Sequence, residues 1–340
     1  MPGADMGIDL GTSNTLIYLS GKGVMLNEPS MVAVNVASGE IVAMGREAQR
    51  MLGRTSDRLS VFCPMRDGVI SDYDYTQQMM TAYIRRVSNN AVFNPRVVLC
   101  IPGEITEVER YAAVDAAREA GARRVCLLPE PMAAALGAGL DITAPTGCGV
   151  VDIGGGTADM AVISLGGTAV SRSCKFAGNA LDQALITWLH VRQHLLIGQR
   201  MAEQAKIAIG CVRVPHSSKT FAVHGRHVVT GLPASLTLDS AQICEAYAPV
   251  VQQLIAELKQ MMEDTPPELM GDLVSRGLML TGGGALLDGM DEVISAALKV
   301  PVQRAESPLE CVALGAGKAL RFLDQGAEAG AGFVNPLEEA

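Results

Sequence analysis

The chain has 340 residues, 49% of them apolar and 19% charged, with a formal net charge of −9. That length exceeds one compact core and points to two lobes of about 150 residues each, which this apolar fraction is ample to fill. The negative balance excludes nucleic acid as the main partner, since little would neutralise the phosphates. The eight cysteines stand singly, with no C-x-x-C pair, and read as reduced buried thiols rather than disulfides or a zinc site. The opening "MPGADMGIDL" lacks a basic stretch leading into an apolar run, and no stretch of about 18 apolar residues occurs. The expectation is a cytosolic protein that touches a membrane only peripherally.

In chain order, "MGIDLGTSNTLIYL" (6–19) predicts a strand, a turn of small residues and a second strand. "RRVSNNAVFNPRVV" (85–98) reads as a polar loop before a strand and carries Val92 and Phe93. No acid lies between Asp74 and Glu104 while Arg85, Arg86 and Arg96 do, so the loop reads as locally basic and suited to anionic lipid. Read alone, Phe93 is better suited to packing under its own strand than to meeting a membrane. Strand, helix, strand follow over 96–129, with Thr106 and Glu109 as a capping box and Gly121 as the helix stop. Such alternation is the mark of α/β units.

"LLPEPMAAALGAG" (127–139) then sets Glu130 between two prolines in an apolar run, where an unpaired carboxylate is costly to bury. Pro131 suits a first helical turn, which places Glu130 at a helix N-terminus, where the dipole favours the ionised form. A plain N-terminal cap is the simpler role for it. "GVVDIGGGTADMAVISL" (149–165) repeats the pattern of 6–19: aligning Asp9 with Asp152 aligns Leu10 with Ile153 and Gly11 with Gly154. Recurrence after roughly 140 residues predicts a duplicated domain whose halves face one another.

Each turn, Asp9 with Gly11, Thr12, Ser13 and Asn14, or Asp152 with Gly154, Gly155, Gly156 and Thr157, offers backbone N–H groups to a phosphate and an acid to a hydrated magnesium. Either alone is as readily an ordinary hairpin. Beyond residue 160 helical stretches dominate, at 180–196, 239–264, 285–299 and 308–323. His190 and His194 lack an acid or cysteine at ligand spacing and read as helix surface, as do Glu203 and Lys206 by their spacing alone. "GLMLTGGGALLDGM" (277–290) predicts a strand, then Gly282, Gly283 and Gly284 opening a helix where a flat ring or phosphate approaches the backbone. The end of the chain has the small-residue composition of a disordered tail.

Together these segments resemble the actin-like ATPase superfamily, and most closely its bacterial branch, the MreB proteins. The strings "GIDLGTSNTLIYLSGKGVMLNEPSMVAV", "PMRDGVISDYD", "EPMAAALGAGL", "VVDIGGGTADMAVISLGG", "LLIGQRMAEQAKIAIG" and "RGLMLTGGGALLDGMD" carry the likeness, which runs from about residue 6 to 322. The resemblance implies an α/β fold of two similar mixed-sheet lobes around a nucleotide cleft. Subdomain IA would comprise 1–28 and 67–140, IB 29–66, IIA 141–177 and 241–325, and IIB 178–240, with 326–340 as the tail. It implies ATP and Mg2+ as ligands, with Asp9 and Asp152 holding the metal through water and the two turns binding the β- and γ-phosphates.

By the same resemblance Gly282–Gly284 face the adenosine, Glu203 lies towards the ribose and Lys206 beside the adenine. Glu130 orients the attacking water, with Thr157 bonded to that water or to the phosphate, and Val92 and Phe93 enter the membrane. The implied function is a slow ATPase that polymerises with itself under the inner membrane, on anionic lipid, and directs cell shape with the proteins of wall elongation. A small-molecule kinase of the superfamily is the rival, and it would form no polymer. Pro129, Ala158, Asp159, Asn179 and Ala208 depart from the commoner pattern and bear on rate and nucleotide preference.

Overall fold

Two five-stranded sheets organise the protein, one in each half of the chain, in a computed structural model that describes residues 5–88, 94–213, 219–325 and 333. The first sheet runs Arg124–Pro129, Arg96–Ile101, Met6–Leu10, Asn14–Leu19, Gly23–Pro29. The second runs Val302–Arg304, Leu278–Thr281, Cys148–Ile153, Ala158–Ser164, Gly167–Cys174. In each, an antiparallel meander of three strands is extended beside its first strand by two parallel ones. The repeated sequence pattern is therefore a repeated topology.

Parallel neighbours require a crossover. In the first lobe it is the helix Glu107–Glu119, opened by the predicted capping box: Thr106 Oγ1 accepts from the Glu109 N–H, and Glu109 Oε2 accepts from the Thr106 N–H at 2.9 Å.

Alternation along the strands sends side chains to two different cores. Val97, Leu99 and Ile101 join the core of the first lobe, with Met79, Met80 and Tyr83 of the helix Tyr73–Ser88. Val98 and Cys100 point the other way, into a third core that the lobes share. The second sheet divides alike, with Val151, Ile153 and Met160 facing its own helices and Val150, Ala161 and Ile163 the shared core.

Two helices fill that seam, Glu130–Gly137 and Cys311–Gln325, and they cross backbone to backbone. A Cβ at Gly137 would lie 1.8 Å from the Cys311 carbonyl oxygen, and one at Gly315 would lie 1.8 Å from that of Ala133. Ala133, Ala134 and Ala135, fully buried, keep the same face slim.

Each lobe also carries a small sheet. Val32–Asn35 pairs between Ile41–Met44 and Leu59–Phe62, and Thr220–His227 pairs between Leu195–Leu196 and Pro233–Asp239. The second of these departs from the helix-dominated expectation, because only Val223 of Thr220–His227 is buried and its apolar signal is sparse. The glycine turn departs too: Gly283–Leu286 is a 3-10 turn, and the helix begins only at Met290.

The segment read as a loop over 85–98 is helical through Ser88 and a strand from Arg96. Its basicity is reduced by distant acids, since Glu28 meets Arg86 at 3.2 Å and Asp5 accepts from Arg96 Nε at 3.0 Å. Val92 and Phe93 lie outside the described residues, as does the tail apart from residue 333.

Candidate functional site

At the carboxyl ends of the central strands the shared core gives way to polar groups. Leu10 pairs with Thr15 and Ile153 with Ala158, so both hairpins close with four-residue loops, 11–14 and 154–157. The fourth residue of each curls over the first. A Cβ at Gly11 would lie 2.8 Å from Asn14 O, and one at Gly154 would lie 3.1 Å from Thr157 O, which explains glycine at both. The loops meet tip to tip: Cβ atoms at Gly155 and Gly156 would lie 1.9 Å from Ser13 Oγ and 2.6 Å from Thr12 Oγ1.

Neighbouring groups occupy the loop carbonyls. Gly11 O accepts from Ser30 Oγ, Thr12 O from Cys63 Sγ and Ser13 O from the Ser30 N–H. Gly154 O and Gly155 O accept from the N–H groups of Gly178 and Asn179. Among the described residues, no acceptor takes the N–H groups of Thr12, Ser13, Gly155 or Gly156. Two touching turns with occupied carbonyls and free amides form a receptor for anionic oxygens.

Strand alternation directs Asp9, Asp152 and Asp159 to the inner face, towards Glu130 at the start of the seam helix. Glu130 is 7% exposed and Asp152 6%. Burial, with Asp152 opposite, pushes the Asp9 carboxyl up to about 7. Burial also raises Asp152 to about 7, against the Thr281 hydroxyl that donates to its Oδ1 at 2.6 Å. Glu130 is driven well above the usual carboxylate range by burial, then by Asp159, Asp9 and Asp152. This corrects the expectation from the helix dipole: the dipole contributes about 1 kcal/mol, which burial beside three other acids outweighs.

The remaining residues line the second lobe beside its turn. Lys206 donates to Gly178 O at 2.9 Å and to Asp182 Oδ2 at 2.8 Å, and Gly178 in turn donates to Gly154 O. Glu203, half-buried, stands one turn earlier on the helix Gln199–Ile209. Gly282 and Gly284 press on Ile153, where added Cβ atoms would lie 2.3 Å from its O and its Cγ2. Gly283 is exposed, with Leu286 and Leu309 about half exposed nearby, an apolar ledge fit for a flat ring.

Sequence reasoning passed over Thr281, Asp182 and Leu309. Thr281 had one legible signal, its place at the end of the strand that pairs in register with Asp152.

A family model, the MreB/Mbl protein family, matches residues 3–328. The cell shape-determining protein Mbl of Bacillus subtilis is 44% identical over 322 residues, covering 94% of this chain and 97% of that protein. The cell shape-determining protein MreB of Escherichia coli K12 is 43% identical over 326 residues, 94% of each chain. The crystal structure of MreB5 of Spiroplasma citri bound to ADP superimposes with a TM-score of 0.92 at 35% identity, covering 96% of this chain and 98% of that one. With two like lobes closing on paired glycine turns and a family match across nearly its whole length, this chain belongs to the MreB/Mbl family of actin-like proteins.

Proposed function

We propose that this chain binds ATP with Mg2+ between its lobes, hydrolyses it slowly, and uses that cycle to time the assembly of filaments on the inner face of the cell membrane. The pair of touching turns with four unengaged amides carries the reading, because a triphosphate needs cradling from both sides. MreB5 of Spiroplasma citri, 35% identical, has been solved with ADP and with AMPPNP, which supports the same ligand class here.

The acid cluster fits a cation. Asp9, Asp152, Asp159 and Glu130 are raised together, the mark of buried negative charge lacking a counter-ion. Asp9 and Asp152 would hold the ion through water, their carboxylate oxygens being the hard donors that magnesium takes. Magnesium would supply the positive charge the cluster lacks. Thr281 fixes Asp152 for that task, the turn amides orient the β- and γ-phosphates, and Glu130 and Thr157 orient the attacking water. Gly283, Leu286 and Leu309 receive the adenine, and Glu203 the ribose.

Assembly would multiply a weak membrane hold. Val92 and Phe93 contribute roughly 1.5–3 kcal/mol each, too little for a monomer but sufficient when repeated along a filament. The filament would guide wall synthesis and cell shape through proteins docked on it; the Mbl and MreB relatives are named cell shape-determining proteins.

Sedimentation with ATP, with and without anionic liposomes, tests the reading. Pelleting with ATP, increased by liposomes, is expected, and soluble monomers in every condition overturn it. Glu130→Ala should slow phosphate release while ATP still binds; an unchanged rate removes the role given to Glu130.

A further inference from the structure

Two polar atoms in the interior of the second lobe have no partner, and they belong to helices that pack together. Asp182, on the helix Gly178–Gln193, is 3% exposed. Lys206 holds its Oδ2 at 2.8 Å, but its Oδ1 is buried with no hydrogen bond. Tyr247, on the helix Ser240–Asp264, is fully buried, and its hydroxyl likewise has no hydrogen bond. The two helices meet in one core, which includes Leu181, Leu185, Ile243 and Val251. Burial, then the charge of Asp182, raises the Tyr247 hydroxyl above its ordinary range.

An acceptor without a donor therefore stands near a hydroxyl without a partner. Each is costly to bury unpaired, and a direct bond would have satisfied both. The two feel one another yet do not bond, a separation that one water bridges by donating to Asp182 Oδ1 while it bonds the Tyr247 hydroxyl. Lys206 already neutralises this carboxylate from its other oxygen, so a neutral donor fits the place and a second cation does not.

The pair backs the second phosphate turn. Lys206 also donates to Gly178 O at 2.9 Å, while the N–H groups of Gly178 and Asn179 hold Gly154 O and Gly155 O. Contact is close throughout: a Cβ on Gly178 would lie 3.2 Å from Gly154 O, 3.3 Å from Lys206 Nζ and 3.4 Å from Gly155 Cα. A shift of Asp182 is thus passed through Lys206 and the helix start to the turn.

We infer that Tyr247 and Asp182 hold a buried water between them, and that Tyr247 is a positioning residue which, through that water, fixes Asp182, Lys206 and the second phosphate turn. The positioning role rests on the proposed nucleotide site; the water does not. The charged groups that act on Asp182 are Lys206 and Glu203, both on the helix Gln199–Ile209, and Tyr247 faces it from the helix Ser240–Asp264. Leu195–Leu196, packed on the same helix as Asp182, brings no charge. Burial, opposed by Lys206, raises the Asp182 carboxyl to about 6. A donor at Oδ1 favours the ionised form, so its loss moves proton uptake to higher pH.

The test is Tyr247→Phe, which deletes one oxygen and keeps the ring. The nucleotide-free variant should melt about 1–2 °C below the wild type. AMPPNP affinity at pH 8 should stay within about threefold, but the pH below which affinity falls should rise by about half a unit or more. A variant that melts at or above the wild type marks a hydroxyl with nothing to hold and overturns the inference, as does an unchanged pH profile. A crystal structure of the nucleotide-free wild type reads the site without any variant. A water within hydrogen-bond distance of both oxygens is expected there, and a direct Tyr247–Asp182 bond or a dry gap overturns the inference. Wild-type protein that shows this water but binds no AMPPNP overturns the proposed function instead and leaves the water site standing.

Discussion

Replacing Gly315 with alanine adds one methyl group where the structure has no room. That Cβ would lie 1.8 Å from the Ala133 carbonyl oxygen, and backbone rather than a flexible side chain stands in the way. Real contacts of this kind stay beyond 3.0 Å, so the two seam helices must part by more than an ångström or bend. The seam has nothing to fill the resulting gap, since Ala133, Ala134, Ala135 and Ala316 are all fully buried small residues. Overpacking of this type costs about 1–3 kcal/mol, and backbone collision places this site at about 3. At about 2.1 cal/mol/K of unfolding entropy per residue, a chain of 340 residues loses roughly 1.4 °C of melting temperature per kcal/mol, so a fall of about 4 °C is expected. Thermal unfolding followed by circular dichroism reads it, with Gly271→Ala as the control. Gly271 lies inside the helix Pro267–Arg276 with open space about it, so alanine there should raise stability by up to about 1 kcal/mol. A Gly315→Ala variant melting within about 1 °C of the wild type, a margin of roughly 0.7 kcal/mol, would refute the close-crossing argument.

Three other perturbations probe the groups around the site. Lys206→Ala strips the partner from buried Asp182, whose carboxyl burial already raises to about 6, so folded protein binds that proton more tightly than unfolded chain and stability falls as pH rises from about 4 through 6. The variant widens that window upward. Urea midpoints without nucleotide should show a loss of about 3 kcal/mol at pH 8 and a smaller one at pH 5, whereas equal losses would deny the pairing. Thr281→Val leaves Asp152 without its hydroxyl donor at a cost of about 1–3 kcal/mol, and a magnesium titration of nucleotide binding should shift to higher concentration. Thr106→Ala removes a helix cap worth about 1 kcal/mol. Thr106 holds the Glu109 carboxyl below its ordinary 4.5, so this stability is present above that pH and fades as pH falls through the lowered value. Melting curves of wild type and variant should therefore converge in acid.

The elements legible in the sequence are those whose local chemistry is self-sufficient. A strand ending in Asp-x-Gly must turn, and two such strands in one chain announce paired turns whatever surrounds them. The capping box at Thr106 is likewise decided within four residues. Illegible were the features set by partners far along the chain. Arg86 and Arg96 looked like a basic patch because Glu28 and Asp5, which pair with them, lie about 60 and 90 residues away. Lys206 looked like a surface charge until Asp182, from another helix, came to 2.8 Å. Thr220–His227 buries too little to display a period, and pairing with two flanking strands makes it a strand. Glu130 was placed correctly at its helix start, but its charge depends on three acids from three other strands, and those positions exist only in the fold.

The crossing of the two seam helices has a mechanical consequence. Interfaces built from long side chains slide, because rotamers can reset as one surface moves over the other. Here backbone lies on backbone, with glycine at each closest approach, and no torsion is available to absorb a shift. The base of the molecule can then pivot but cannot shear. Such a fulcrum converts a small separation of the phosphate turns into a larger, directed swing at the outer sheets, and one end of the lever is Glu130 itself.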